Sequence, residues 1–311
     1  MHLPRIVNKA LGLLVLLAAC GPTLVSANKD RSDLCGFSMF TSDFDGIGNF
    51  SAIEASWTIP DVASISNGKD AEPQLQWVRH GVSLCCGNDC STRLTAGMSA
   101  MSRDGRTHTA EPVFQLTPGY TPFFLLPAHR FELNASDTFW TRLELLSPRA
   151  ARITFTKSEG PNSNSSVIVG LGTEEKYGQP TLTLETTQSG HTFKTPLIMP
   201  PRVDNSPPTP LLCGDSAWWA LTGDFNANME PNRQRLYVLP HFSPVLIGNQ
   251  RLETRSSDSK WRFPADLALS GLPRFWNMVW DTNGQTKTLC KPRILADSGM
   301  TLLHAPHEWG V

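Results

Sequence analysis

The chain reads as an all-β protein, an antiparallel two-sheet β-sandwich, and three observations carry that reading. Apolar and polar residues alternate with period two along most of the chain, 24 prolines and 23 glycines break those runs at short intervals, and no stretch sustains a capped helical stripe. In order, Ile53, Ala55, Trp57 and Ile59 alternate with Glu54, Ser56 and Thr58, as in a strand with one buried face. Phe139, Thr141, Leu143 and Leu145 alternate in the same way against Trp140, Arg142 and Glu144. Arg152 to Thr156 and Thr181 to Glu185 are further alternating runs. Val167 to Leu171 and Ala217 to Leu221 are continuously apolar, which suits strands covered on both faces. Lys157 to Ser165 reads as a hairpin tip, and Pro200 to Pro210 as an extended crossover. Trp57, Trp77, Trp218 and Trp219 sit in strand-like runs and are expected in the core or on the sheet surface.

With 311 residues and a net charge of -1, the chain is long enough for a sizeable core and lacks the basic field that recruits nucleic acid. Its 27 Lys and Arg against 28 Asp and Glu do not suit work at very low pH. Basic Arg5 and Lys9, an apolar run from Ala10 to Ala19 and small residues ending at Ala27 read as a secretory signal peptide over 1–27. Leu17-Ala18-Ala19-Cys20 offers the competing reading of a lipoprotein cleavage box. The expected product is a secreted single domain, 28–311, with no membrane span. Beyond the leader, Cys35, Cys85, Cys86, Cys90, Cys213 and Cys290 form an even set, so all six are expected in disulfides. Their pairing is open among 15 connectivities, with Cys85, Cys86 and Cys90 joined partly within their own loop or to a neighbouring strand. Paired CxxC spacing is absent, so no metal is expected, and no cofactor motif is present. Pro306 denies His304 and His307 a shared helix face, and no nucleophile elbow surrounds Ser216. Asn49, Asn134 and Asn164 head sequons that suit glycosylated surface turns.

Five short blocks carry a more specific signal: Phe50 to Pro60, Trp77-Val78, Leu94-Thr95-Ala96-Gly97, Cys213 to Leu221, and Pro240 to Val245. In that order they resemble the eqolisins, the glutamic peptidases found mainly in fungi. The resemblance implies a sandwich with a concave cleft, where a Gln and a Glu face each other, the Glu as general base and acid and the Gln amide holding water and oxyanion. The Gln position corresponds to Thr95, and counting along the strand after Cys213 brings Thr222 to the Glu position. Gln115 stands where the family carries a carboxylate, and His80 follows Trp77-Val78 where it carries an Asp-containing turn. His80 therefore reads as a loop histidine or a cleft residue. Thr95, Thr222, Gln115 and His80 are the expected cleft positions.

A threonine hydroxyl is no general base, so the family's hydrolysis is expected to be lost. Three functions follow. One is a cleft repurposed for a small, largely apolar molecule, by isomerisation or ring closure, as in a fungal secondary-metabolite pathway. The second is a binder of peptide or glycan. The third is an acid peptidase drawing on Gln76, Gln115 or Glu111.

Overall fold

The computed structural model describes residues 29–31, 34–45, 48–63, 76–87, 90, 92–102, 107–117, 124–125, 134–157, 164–176, 179–188, 191–198, 211–222, 241–255, 260–263, 273–282, 285–294 and 300–304. The expected signal peptide, the crossover at 200–210, His307 and the side chains of Gln76 and Trp77 lie outside them.

The strands are β1 (Lys29–Arg31), β2 (Leu34–Phe40), β3 (Phe50–Thr58), β4 (Val62–Ala63), β5 (Gln76–Cys86), β6 (Thr92–Ser102), β7 (Thr107–Thr117), β8 (Phe124–Leu125), β9 (Thr138–Ser147) and β10 (Ala150–Lys157). They continue with β11 (Asn164–Lys176), β12 (Gln179–Gln188), β13 (His191–Ile198), β14 (Ser216–Thr222), β15 (His241–Phe242), β16 (Val245–Thr254), β17 (Lys260–Phe263), β18 (Arg274–Thr282), β19 (Gln285–Ile294) and β20 (Met300–His304). Among the described residues the helical content is one turn at Thr41–Asp43. β3, β9, β10 and β12 cover the four alternating runs, and β11 and β14 the two apolar ones.

Pairing runs β8–β7–β6–β5–β14–β2–β18, then β19–β20, then β16–β3–β9–β10–β11–β12–β13. These pairings are antiparallel; β1 adds a parallel contact to β18. The fold is the expected antiparallel sandwich: eighteen strands join in one sheet whose two halves pack face to face, and β4 pairs with β15 in a separate two-stranded sheet. The corner is at β18–β19–β20, where the register slips between Met278 and Val279, and a bulge of that kind increases twist and lets a sheet turn. Across the fold, β5 packs on β3 and β9, and β14 packs on β3.

The core fills the space between the two halves. Phe37, Val82 and Trp219 project from one half; Ile53, Trp57, Phe139 and Leu143 project from the other. Trp219 stacks on Phe37 with ring centroids 4.9 Å apart and donates its indole N–H to the Glu54 carbonyl at 3.1 Å, tying the halves together. Burying an indole of that size is worth roughly 5 kcal/mol in removed apolar area. On the outer face of the second half, Arg142 bridges Glu54 at 2.7 Å and Glu253 at 2.9 Å. Burial opposes its charge, but hydrogen bonds and attraction from Glu253 and Glu54 outweigh that and hold the guanidinium above its ordinary pKa.

All six expected cysteines are paired. Cys35–Cys290 pins β2 to β19 at the corner, Cys85–Cys90 closes the loop after β5, and Cys86–Cys213 ties the end of β5 to the segment leading into β14. Such a set belongs to a chain that folds in an oxidising compartment. Among the described residues, no helix is long and apolar enough to cross a membrane.

Candidate functional site

Directly paired residues on neighbouring strands point to the same face, so the register sorts the side chains of β7, β6, β5, β14 and β2 into rows. On the face turned away from the core, one row runs Gln115, Thr95, Ser83, Trp218, Ser38. Two residues along, the next row is Val113, Gly97, Gly81, Ala220, Gly36. The third is Glu111, Ser99, Arg79, Thr222, Leu34. A strip with almost no side chains thus separates a neutral polar row from one that carries charge.

The glycines of the strip have a local cause. A Cβ on Gly81 would meet the Ala96 carbonyl, one on Gly97 the His80 carbonyl, and one on Gly36 the Trp219 carbonyl. The strands approach too closely there for any side chain.

In the neutral row, the Ser83 and Thr95 hydroxyls are 2.7 Å apart, one donating to the other. Gln115 is opposite Thr95, and Trp218 is opposite Ser83 on its other side. The Trp218 indole N–H donates to Ser216 Oγ at 3.0 Å, and its ring packs against Trp276 at 5.2 Å and edge-on to Phe40 at 5.9 Å. Trp276 in turn donates to Ser38 Oγ at 2.8 Å. The row is sheltered: Ser83 is 5% exposed, Trp218 1% and Ser38 0%, with Thr95 and Gln115 half-buried at its margin. No ionisable side chain interrupts it before Arg274 on β18, whose guanidinium binds Asp43 at 2.6 Å and lies over the Phe40 ring.

Of the expected cleft positions, Thr95, Gln115 and Thr222 share this face and His80 does not. His80 lies in mid-strand, where parity places it with Val78, Val82 and Leu84 on the core face. It is 2% exposed, between Trp57 and Phe139 at 5.3 and 5.5 Å, and burial lowers its pKa to about 3. Both expectations for His80, loop histidine and cleft residue, are therefore corrected.

Thr95 and Thr222, the two positions of the implied dyad, lie in different rows. Thr222 lies two strands from Thr95 and four residues further along, roughly 16 Å away by strand spacing and rise. The β14 residue in the row of Thr95, on the other side of Ser83, is Trp218. Neither position holds a carboxylate. Ser83 and Trp218 are the residues that sequence reading passed over as site residues. The alternation of Arg79, Gly81 and Ser83 against Val78, His80 and Val82 was the available signal for Ser83. Glu111 and Gln115 are four residues apart on one strand, about 13 Å, so they do not meet.

No protein-family model and no curated protein sequence matches the chain. Among solved structures, it is similar to scytalido-glutamic peptidase bound to a transition state analog inhibitor, at 11% identity and a TM-score of 0.50, covering 88% of this chain and 99% of that one. It is also similar to SCP-B, a member of the eqolisin family of peptidases in complex with the tripeptide Ala-Ile-His, at 10% identity and a TM-score of 0.47, with the same coverage. The chain has an eqolisin-like fold.

Proposed function

We propose that this protein handles a small, largely apolar molecule on the Gln115–Thr95–Ser83–Trp218 row, without hydrolysis. The observation that carries this reading is the row itself: a sheltered set of neutral donors and acceptors beside a tryptophan, where a peptidase of this fold needs a carboxylate. The Gln115 amide and the paired hydroxyls suit a carbonyl or hydroxyl oxygen, each hydrogen bond contributing about 0.5–1.5 kcal/mol net. Isomerisation or ring closure asks for shape and such donors rather than a titrating base, which fits a step in fungal secondary metabolism. A leader over 1–27 and secretion belong to the same reading, supported by the three disulfides. A sheltered row suits a compact ligand better than an extended polypeptide.

The test has two arms. Purified protein incubated with an unfolded polypeptide at pH 2–5 is expected to leave it intact. Digestion that disappears in Glu111→Gln would restore the peptidase reading. In the second arm, the uncharged probe N-phenyl-1-naphthylamine is expected to bind saturably, and Gln115→Ala to weaken binding several-fold while leaving thermal stability within about 1 kcal/mol. No saturable binding would count against the small-molecule reading.

A further inference from the structure

We infer that Asn49 and Asn134 carry N-linked glycans, one at each end of the β3–β9 pair. Asn134 begins an exposed turn held by backbone hydrogen bonds. Its N–H donates to Asp137 Oδ2 at 2.9 Å, its carbonyl accepts from the Asp137 N–H at 3.1 Å, and the Ser136 N–H donates to the Ile59 carbonyl at 2.8 Å. Ser136 adopts φ 73°, a left-handed conformation common in tight turns. The Asn134 carboxamide makes no hydrogen bond among the described residues, and the residue is exposed. Asn49 is likewise exposed. Its carbonyl accepts the Arg255 N–H at 3.2 Å and its carboxamide makes no hydrogen bond among the described residues, while the next residue, Phe50, is fully buried and fixes the chain direction. At both sites the residue is exposed and its carboxamide makes no hydrogen bond among the described residues, so a bulky sugar there costs the native state no such contact. The side chain of the third sequon residue, Asn164, lies outside the described residues.

The positions are separated by the length of β3, roughly 30 Å. Both belong to the half carrying β3 and β9, whereas the Gln115–Thr95–Ser83–Trp218 row faces outward from the other half. The inference rests on the secretory reading above. In the modification, the amide nitrogen bonds to the anomeric carbon of a lipid-linked oligosaccharide diphosphate. The bond from that carbon to the pyrophosphate oxygen breaks, the lipid pyrophosphate leaves with the electron pair, and the amide proton passes to a base.

The experiment is expression of the full chain in a yeast secretory host, followed by peptide-N-glycosidase treatment of the secreted protein in H₂¹⁸O and peptide mapping. The expected result is ¹⁸O-labelled Asp at positions 49 and 134, each in more than half of the molecules, with probe affinity unchanged within twofold on deglycosylation. Secreted protein in which either position stays unlabelled overturns the inference and leaves the secretory reading standing. Retention in the cytosol with reduced thiols overturns both. The wild-type digest reads each site directly, so no outcome depends on a variant folding.

Discussion

His80 is an ionisable group held between two aromatic rings, and its effect on stability has a definite sign. On its face of β5 and the strands packed against it, the neighbours are Trp57, Phe139, Met98 and Leu221, none of which carries charge. The folded-state pKa is depressed to about 3 from an unfolded value of 6.5, so between those values the unfolded chain takes up a proton that the folded chain refuses. Stability is complete above pH 6.5 and falls as pH drops toward 3, by about 1.4 kcal/mol per unit, or roughly 3 kcal/mol by pH 4. Urea denaturation at pH 7 and pH 4 is expected to show this loss in wild type and a flatter profile in His80→Leu. Equal slopes for the two proteins would mean that the histidine is not buried neutral. A core that weakens in acid agrees with a chain whose basic and acidic residues nearly balance.

At the scale of the strand, parity and close approach do the selecting. Because a Cβ at Gly81 or Gly97 meets a neighbouring carbonyl, Gly81→Ala and Gly97→Ala are each expected to cost at least 2 kcal/mol in chemical denaturation. Gly48, with nothing within 4 Å of its added Cβ, provides a control expected within 0.5 kcal/mol or so of wild type. The row alignment is testable by rebuilding a dyad. Thr95→Gln with Trp218→Glu puts an amide and a carboxylate on either side of Ser83, whereas Thr95→Gln with Thr222→Glu leaves them roughly 16 Å apart. Acid cleavage of an unfolded polypeptide is expected only from the first pair, with near-ultraviolet circular dichroism confirming that the loss of a buried indole, about 3–5 kcal/mol, has not unfolded it. Cleavage by the second pair instead would return the position to Thr222.

For the whole molecule, the corner at β18–β19–β20 makes one folded sheet of two halves, and Cys35–Cys290 closes it across 255 residues. Loop-closure entropy assigns that bond about 5 kcal/mol and the five-residue Cys85–Cys90 link only about 2. Replacing both Cys35 and Cys290 with Ala should therefore lower stability more than the same change at Cys85 and Cys90, and denatured, unreduced wild type should show no titratable thiol. The opposite ranking would place the main restraint elsewhere. By itself the sequence determined the all-β class, because strand patterning is local: β3 and β9 are legible from their alternation and β14 from its short apolar run. It also determined that Thr95 carries no amide and that the six cysteines beyond residue 27 form an even set. Only the tertiary structure decided which cysteines pair, that eighteen strands join across the two halves, that His80 points inward, and that Trp218 rather than Thr222 lies in the row of Thr95. Those facts depend on register between strands far apart in the chain, where a shift of one residue reverses every face and a shift of four moves a side chain about 13 Å, leaving each strand's own pattern unchanged.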